Sequence, residues 1–468
     1  MRNSLADELS NCKFGDKRLT SRVISLCTSI SENPELSINS ACGSFEQSKA
    51  AYRFLDNDKV NTSNLLSAHV QKTCDRIAAS SGDIIVIQDT TDLIYTQFPS
   101  ISDLGERIKS AGYGSSVKGI LLHTSLAVDP AGVPLGVLKQ TFFTYDEGQV
   151  RKRRSQTERN VVGITKQLPI EQKSSFRWID HFHQTEKITQ ELKRRIIHVA
   201  DREADIYELI QAIGTSPASK FVIRSSMDRK THEDPTTREF STIEKQLLKV
   251  PISGTVQVLK DGKEKLCQVK ILKTTLKPPS RSAKAKSEPL VPISVIVVEV
   301  RENSSAKDAL HWRLLTNLAC ASFDEAVNVI ATYKKRWSIE SFHRILKSGF
   351  GVEKARLSCR SKLEKLATLL SIISWHLYWL YNLSRKSPLL KGEVILDEIA
   401  IKVLKVSAKK VRVQISKSPT LGEAILIIAR LGGFLGRKSD GQPGMISIWR
   451  GWRCLYERIE LMEALTCG

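Results

Sequence analysis

The segment "DIIVIQDTT", residues 83–91, decides the fold class of this 468-residue chain. Its run of Ile and Val residues, 84–87, is typical of a strand that is buried on both faces. Asp89 follows where we expect this strand to end. The next apolar segments, "GILLHTSLAV" (119–128) and "PLGVLKQTFFTY" (134–145), have a similar character. Together the segments predict three successive strands of one sheet.

Helical and strand patterns then alternate along the chain. The alternating segments are "KITQELKRR" (187–195, helix), "IIHVA" (196–200, strand), "DIYELIQAI" (205–213, helix) and "KFVIRSS" (220–226, strand). Such alternation predicts an α/β fold. Asp201 directly follows the strand "IIHVA". In α/β sheets the carboxyl ends of strands are where functional side chains converge, so Asp201 is a candidate site residue.

Changes in pattern divide the chain into consecutive regions. Residues 1–70 have basic, helical patterns, and residues 71–235 and 310–365 form the two parts of the α/β core. Between them, residues 236–309 show the alternation of a β-rich insertion. Residues 366–468 are mostly helical.

Three segments within these regions need a separate interpretation. The polar stretch 145–175 is predicted to be a loop or mobile lid, and "KPPSRSAKAKSEP" (277–289) an exposed basic loop. The apolar run "LATLLSIISWHLYWLYNL" (366–383) approaches the length of a membrane span. Because it contains Thr, Ser, His and Asn and continues an amphipathic segment, we predict a buried helix and no membrane partner.

The overall composition favours a polyanionic partner. Lys and Arg number 71 against 50 Asp and Glu, which gives a net charge of +21 spread along the whole chain. A cationic enzyme without such a partner is the alternative. The 9 cysteines are scattered without a C-x-x-C pair, and the N-terminus has no apolar signal segment. These features predict a cytoplasmic protein without a disulfide framework or zinc cluster.

The stretch "YKKRWSIESFHRILK" (333–347) contains one acid, Glu340, among many cationic residues. At about 100° per residue, one helix would place Tyr333, Arg336, Glu340 and Lys347 within an arc of about 60°. An acid on such a basic face is either a salt-bridge partner or a metal ligand whose cationic neighbours bind phosphates. Spacing alone leaves both interpretations open.

Asp89 and Asp201 have an equally simple alternative, since Asp often follows a strand to cap a helix or begin a turn. Together with Glu340, however, they supply three hard oxygen ligands from separate elements. Mg²⁺ or Mn²⁺ uses such ligands when phosphate oxygens complete its coordination shell. Two such ions can support an in-line displacement at phosphorus.

Other chemistries have less support in the sequence. A G-x-x-x-x-G-K-[ST] phosphate loop, an H-E-x-x-H zinc motif and a G-x-S-x-G nucleophile elbow are all absent, so no nucleotide cofactor is expected. His181 and His183 in "DHFHQ" lack further ligands at metal spacing, and we expect them on the solvated side of a helix.

The motifs "QDTT", "ADREADIYELI" and Tyr333-x2-Arg336-x3-Glu340-x6-Lys347 resemble those of the DDE transposases of the IS-four family of bacterial insertion sequences. The resemblance extends to "GDKRLTSR" and "AAYRFLDN" near the N-terminus and "IARLGGF" near the C-terminus. It implies an RNase H-like catalytic core, an N-terminal DNA-binding domain and a C-terminal dimerisation domain. It departs mainly in 145–175 and 236–309, where only the general character matches.

The resemblance also implies residue roles. Asp89, Asp201 and Glu340 become the catalytic, metal-binding triad for two Mg²⁺ (or Mn²⁺) ions. The implied DNA-binding residues are Tyr333, Arg336 and Lys347 at the cleaved phosphate, Trp312 as an aromatic inserted beside a flipped base, Arg18, Arg22 and Arg53 at the transposon end, and Arg202 and Arg224 near the active site.

The implied activity is cut-and-paste transposition by a homodimer. The enzyme would bind inverted-repeat ends, cleave them through a hairpin intermediate and join the 3′-OH ends to target DNA. Two alternatives remain: a stand-alone metal-dependent DNA nuclease, and a non-catalytic relative that only occupies transposon ends.

Overall fold

The computed structural model describes residues 2–33, 37–108, 116–144, 169–232, 240–280, 290–306 and 308–466. Most of the predicted 145–175 loop and most of the predicted basic loop 277–289 lie outside the described residues. The helices are α1 Arg2–Leu9, α2 Lys17–Glu32, α3 Ile38–Cys42, α4 Phe45–Asp56, α5 Thr62–Ala79, α6 Phe176–Thr189, α7 Tyr207–Thr215, α8 Ile243–Lys249, α9 Phe323–Lys334, α10 Trp337–Arg344, α11 Arg360–Lys386, α12 Glu398–Lys410, α13 Leu421–Leu431 and α14 Met445–Thr466. The strands are β1 Ile84–Ile94, β2 Gly105–Ile108, β3 Ser116–Val128, β4 Pro134–Phe143, β5 Ile196–Ala200, β6 Ser219–Arg224, β7 Lys230–His232, β8 Phe240–Thr242, β9 Gly254–Lys260, β10 Lys263–Leu276, β11 Ile293–Glu302 and β12 His311–Thr316.

One mixed sheet organises the strands, and the predicted α/β class is confirmed. Its order is β2-β3-β1-β5-β6-β12-β11-β10-β7-β8, with β4 paired to β3 and β9 paired to β10. β1 is parallel to β5 and antiparallel to β3. The strands between residues 236 and 309 join this same sheet, because β11 pairs with β12 and β12 pairs with β6.

β1 is longer than the sequence predicts, so the expectation that Asp89 ends its strand is wrong. The parallel pairing with β5 reaches Ile87, but the antiparallel pairing with β3 continues to Ile94 opposite Gly119. Asp89 therefore lies inside β1, just beyond the part that β5 covers. The short strand β2, which lies between the first two predicted strands, was not predicted.

Helix α11 contains the apolar run and is buried, as predicted. Trp375 donates a hydrogen bond from its indole N–H to the carbonyl of Pro134 on β4 at 3.0 Å. The ammonium of Lys365 donates to the carbonyl of Leu55 at 2.9 Å, so the helix also contacts α4. Among the described residues, no helix combines the length and the hydropathy that crossing a membrane requires.

A buried polar network joins the N-terminal helices to the sheet. The Arg76 guanidinium donates to both carboxylate oxygens of Glu8 at 2.9 Å and lies 4.1 Å from the ring of Trp375. Nδ1 of His69 lies 2.5 Å from Glu8 Oε1, and its Nε2 accepts the Val137 N–H at 2.8 Å. His69 is therefore neutral with its proton on Nδ1, and burial lowers its pKa. The negative charge of Glu8 is balanced by Arg76.

This network makes stability depend on pH. Burial raises the pKa of Glu8, but its contacts with His69 and Arg76 outweigh that effect and lower the pKa from 4.5 to about 2. An unfolded Glu titrates near the higher value, so Glu8 stabilises the fold fully above it. That contribution is lost as the pH falls from 4.5 to about 2.

We therefore expect Glu8→Gln to lower the free energy of unfolding by roughly 3 kcal/mol at neutral pH, because it leaves Arg76 without its buried counter-charge. Urea unfolding of both proteins over a series of pH values measures the difference, which should shrink on acidification. Glu46→Gln, at an exposed position of α4, is the matched control. An equal stability of Glu8→Gln and the parent protein at neutral pH contradicts the prediction.

Candidate active site

Asp89 and Asp201 are brought together by the parallel pairing of β1 and β5. Ile87 pairs with Val199, and continuing this register places Asp89 beside Asp201. Neighbouring strands lie about 4.8 Å apart, so the two carboxylates extend from adjacent positions. Asp201 also caps the short 3₁₀ turn that follows β5, because its Oδ1 accepts the Glu203 N–H at 3.1 Å. Asp201 therefore caps a turn, as the alternative interpretation predicted, and also lies beside Asp89.

Arg336 connects Glu340 to Asp201. Its Nη2 lies 2.5 Å from Glu340 Oε1 one helical turn further along, and its Nη1 lies 4.0 Å from Asp201 Oδ2. The arginine side chain is only 9% exposed. Glu340 is therefore a salt-bridge partner in this structure, as one of the two sequence interpretations predicted, and it lies beside the other two acids.

The pKa of Asp89 reflects the burial and the charges around it. The pKa of Asp89 is raised from 3.8 to about 7, mainly by burial and also by the negative charges of Asp201 and Glu340. A hydrogen bond from the Thr90 N–H and the positive charge of Arg336 oppose this increase. Asp89 is thus close enough to Asp201 and Glu340 for their negative charges to act on it.

His343 contacts Asp89 without forming an ion pair. Its Nδ1 lies 3.8 Å from Asp89 Oδ2, and the side chain is buried. Burial, assisted by the nearby positive charge of Lys347, lowers the pKa of His343 to about 3. The imidazole is neutral at physiological pH, so the positive charge that acts on Asp89 comes from arginines, namely Arg336 and Arg177.

The donor set fits a divalent metal ion in its chemistry. Three carboxylates from separate elements supply hard oxygen ligands, and their mutual repulsion is the kind that a bound cation relieves. As the side chains stand, no three His, Cys, Asp or Glu residues within the described ranges are close enough to hold an ion. In this structure Glu340 and Asp201 face Arg336 instead.

Family models match most of the chain in three successive segments. They are Transposase DNA-binding over residues 1–60, Transposase DDE domain over 179–375 and Transposase Tn5 dimerisation domain over 372–462. The chain belongs to the DDE transposases. The order of domains is that of a Tn5-like transposase, and membership of the IS-four family is consistent with it.

The transposase is therefore an enzyme that acts on phosphodiester bonds and depends on divalent metal ions. Its core is RNase H-like, it binds DNA, and it carries a dimerisation region. Asp201 and Glu340 fall inside the matched DDE segment, whereas Asp89 precedes it.

The helix predicted to carry Tyr333, Arg336, Glu340 and Lys347 is interrupted in the transposase. α9 ends before Arg336, and α10 passes into a π-helical turn over Ile345–Gly349. Arg336 and Glu340 contact each other. Tyr333 is buried and stays next to Arg336, whose guanidinium lies 6.0 Å from the centre of its ring.

Lys347, on the π-helical turn, faces the end of β1. Its ammonium donates to the carbonyl of Asp92 at 2.9 Å and lies 3.3 Å from Glu353 Oε1. The same Glu353 oxygen accepts the Ile94 N–H at 2.8 Å. Lys347 is thus fixed to β1 and does not contact the three acids.

Trp312 and Arg224 lie beside Tyr333, next to this site. The ring of Trp312, half-buried on β12, meets the ring of Tyr333 edge-on at 5.1 Å. Arg224 ends β6 and donates to the carbonyl of His311 at 3.0 Å. Arg202 is exposed on the turn after Asp201.

The remaining predicted DNA contacts lie on the N-terminal helices. Arg18 and Arg22 belong to α2 and Arg53 belongs to α4, and all three residues are exposed. Arg18 pairs with Asp16 at 2.9 Å.

Sequence reasoning missed Arg177, which links the neighbours of the two aspartates. Its Nε donates to Thr90 Oγ1 at 3.3 Å, and its Nη2 lies 3.2 Å from Glu203 Oε2. Thr90 follows Asp89 in β1, and Glu203 lies in the turn that Asp201 caps. No motif marks Arg177, because its role depends on how α6 packs beside β1.

The expectation of solvated histidines was wrong for His181. Its two ring nitrogens contact Ser125 Oγ at 2.8 Å and Thr141 Oγ1 at 2.9 Å, and the side chain is fully buried. Its ring also packs against His123, whose Nδ1 contacts Thr90 Oγ1 at 2.8 Å. His183 is exposed, as expected.

We expect Arg177→Gln to slow metal-dependent cleavage by about 100-fold while DNA affinity stays unchanged, because misplacing reacting groups by a small distance costs a factor of this size. Cleavage rate under single-turnover conditions and DNA affinity by gel shift measure the two quantities. Arg195→Gln, which removes a more exposed ion pair with Asp83, is the control. A parallel loss of DNA affinity would instead indicate that Arg177 holds DNA.

Proposed function

We propose that this transposase performs cut-and-paste transposition, with Asp89, Asp201 and Glu340 as its catalytic triad. The observation that carries the proposal is the contact of Arg336 with Glu340 and Asp201, the latter beside Asp89 in the register of β1 and β5. Two Mg²⁺ (or Mn²⁺) ions held by the triad would activate an attacking oxygen and stabilise the leaving oxygen. The other side chains around the triad would bind and orient the DNA.

The proposed reaction is a series of displacements at phosphorus. Water cuts one strand at the transposon end, and the freed 3′-OH attacks the opposite strand to form a hairpin. Water reopens the hairpin, and the same 3′-OH then attacks target DNA. Because every step exchanges one oxygen for another at phosphorus, one site with one set of phosphate contacts can serve all of them.

Cationic and aromatic side chains around the triad hold the DNA end in this proposal. Arg336 and Lys347 bind phosphate oxygens through charge-assisted hydrogen bonds, while Tyr333 lines the site. Trp312 moves from its contact with Tyr333 to stack beside a base that leaves the duplex. Arg202 and Arg224 add positive charge along the same surface.

End recognition and pairing of ends belong to the flanking regions. We infer that residues 1–70 bind the inverted repeats through Arg18, Arg22 and Arg53. Residues 366–468 bring two copies together, so that both ends are held in one homodimeric complex before cutting. Residues 71–235 and 310–365 form the catalytic core, and the β-rich insertion 236–309 extends its sheet.

The triad assignment predicts the behaviour of Glu340→Gln. This variant should still bind end-containing DNA but lose Mg²⁺-dependent cleavage by at least about 1,000-fold, since one ligand of the ions is neutralised. Gel electrophoresis of labelled linear DNA bearing the element's ends measures cutting. Glu398→Gln removes an exposed pair with Lys402 at the same helical spacing and should cut normally. Unchanged cutting by Glu340→Gln would refute the triad.

The role of Trp312 predicts a block at one step. Trp312→Ala should allow the first strand to be nicked but reduce hairpin formation by about ten-fold or more, because a stacked base gains about 1–3 kcal/mol from an aromatic ring. Denaturing gels separate nicked from hairpin products. Trp312→Phe should restore part of the hairpin yield, and normal hairpin formation by Trp312→Ala would contradict the assignment.

A further inference from the structure

Arg336 occupies the position from which positive charge acts on all three acids. It contacts Glu340 at 2.5 Å, lies 4.0 Å from Asp201 and attracts the carboxylate of Asp89. Its Nε is buried and has no hydrogen-bond partner among the described residues. The guanidinium is therefore bound mainly through its terminal nitrogens.

We propose that Arg336 is an exchangeable counter-ion, which couples the binding of divalent ions to the binding of the transposon end. Without DNA, the guanidinium neutralises Glu340 and Asp201 and competes with metal for their oxygens. When a DNA phosphate arrives, the guanidinium transfers to it and leaves the two carboxylates to the ions. The inference rests on the proposed function, since it takes Asp201 and Glu340 as metal ligands.

Electrostatic repulsion between the guanidinium and a bound ion favours this exchange. An ion bound to the Glu340 oxygen that now contacts Arg336 would lie within a few ångströms of the guanidinium, where two positive charges repel each other. A phosphate offers the planar guanidinium paired acceptor oxygens that match its geometry. The electrostatic stabilisation of the site is therefore greatest when phosphate and metal are both bound.

The local structure allows Arg336 to move. It lies at the junction between α9 and α10, and its backbone continues into α10 without a side-chain cap. Trp337, whose ring lies 5.2 Å from the guanidinium, is 57% exposed, so the path toward solvent is short. Lys347 differs, because the carbonyl of Asp92 and the carboxylate of Glu353 hold it.

The coupling can be measured without any reaction. Mn²⁺ is titrated by calorimetry into the full-length protein, alone and saturated with a pre-cut end duplex that lacks its 3′-OH. We expect an affinity about ten-fold higher in the complex, in the usual range of coupling between two sites. Glu340→Gln is titrated in the same way as a control. Because it lacks one proposed metal ligand, the Mn²⁺ that its DNA complex still takes up is bound by the DNA itself.

Two variants identify the residue responsible. In the absence of DNA, Arg336→Gln should bind Mn²⁺ more tightly than the parent protein does. The ratio of its Mn²⁺ affinities with and without DNA should therefore fall toward one. Arg344→Gln also removes a cation of α10, at an exposed position, but leaves the carboxylates in their contact with Arg336, so its ratio of Mn²⁺ affinities with and without DNA should remain that of the parent. If only the total positive charge mattered, the ratio of Mn²⁺ affinities would change equally in both variants. That result would overturn the proposal.

A second measurement uses the unaltered protein, so it does not depend on the folding of a variant. Linkage requires Mn²⁺ to raise the affinity for the end duplex by the same factor. Equal Mn²⁺ affinities with and without DNA, in a protein that still cuts its ends, would overturn the exchange alone. Mn²⁺ binding by Glu340→Gln equal to that of the parent would overturn the triad and the exchange together.

Discussion

The contact between Arg336 and Glu340 is the interaction on which the rest of the site depends. Three partly buried carboxylates can lie close together only if positive charge compensates for their repulsion and for their lost hydration. Arg336 supplies that charge from a nearly buried position between Glu340 and Asp201. The balance is incomplete at Asp89, where burial and the neighbouring acids raise the pKa to about 7. A site in this state favours additional cations, and that is the property a DDE transposase requires.

The scaffold brings these charges together through two kinds of contact. Parallel pairing of β1 with β5 fixes Asp89 and Asp201 side by side, and Arg177 joins the residues that follow them. α10 then places Glu340 against the same pocket. Further away, the buried pair of Glu8 and Arg76 and the long helix α11 attach the N-terminal helices to the sheet. The DNA-binding segment and the catalytic pocket therefore belong to one continuously packed body.

Sequence patterns predicted the parts of this structure that local chemistry determines. The Ile and Val runs of β1 and β5 predicted buried strands. The single acid in a basic helix indicated that Glu340 is a salt-bridge partner or a metal ligand. The extent of β1 was wrong because its second half is stabilised by pairing with β3, which the apolar run does not reveal. The interruption of the helix near Arg336 and the π-helical turn were not predicted, because neither has a clear sequence signature. Arg177 and His181 were missed or misplaced because their partners lie far away in the chain.

The two signature cations differ in how they are held, and this difference assigns them different tasks. Lys347 is bound to the carbonyl of Asp92 and to Glu353, and Glu353 in turn accepts the Ile94 N–H, so Lys347 moves with the strand that carries Asp89. A phosphate bound by Lys347 would therefore lie at a fixed distance from Asp89. Arg336 is bound to the acids themselves, so it cannot serve a phosphate without releasing them. In the proposed function Lys347 determines where the DNA end lies, whereas Arg336 makes the carboxylates available only when that end is present.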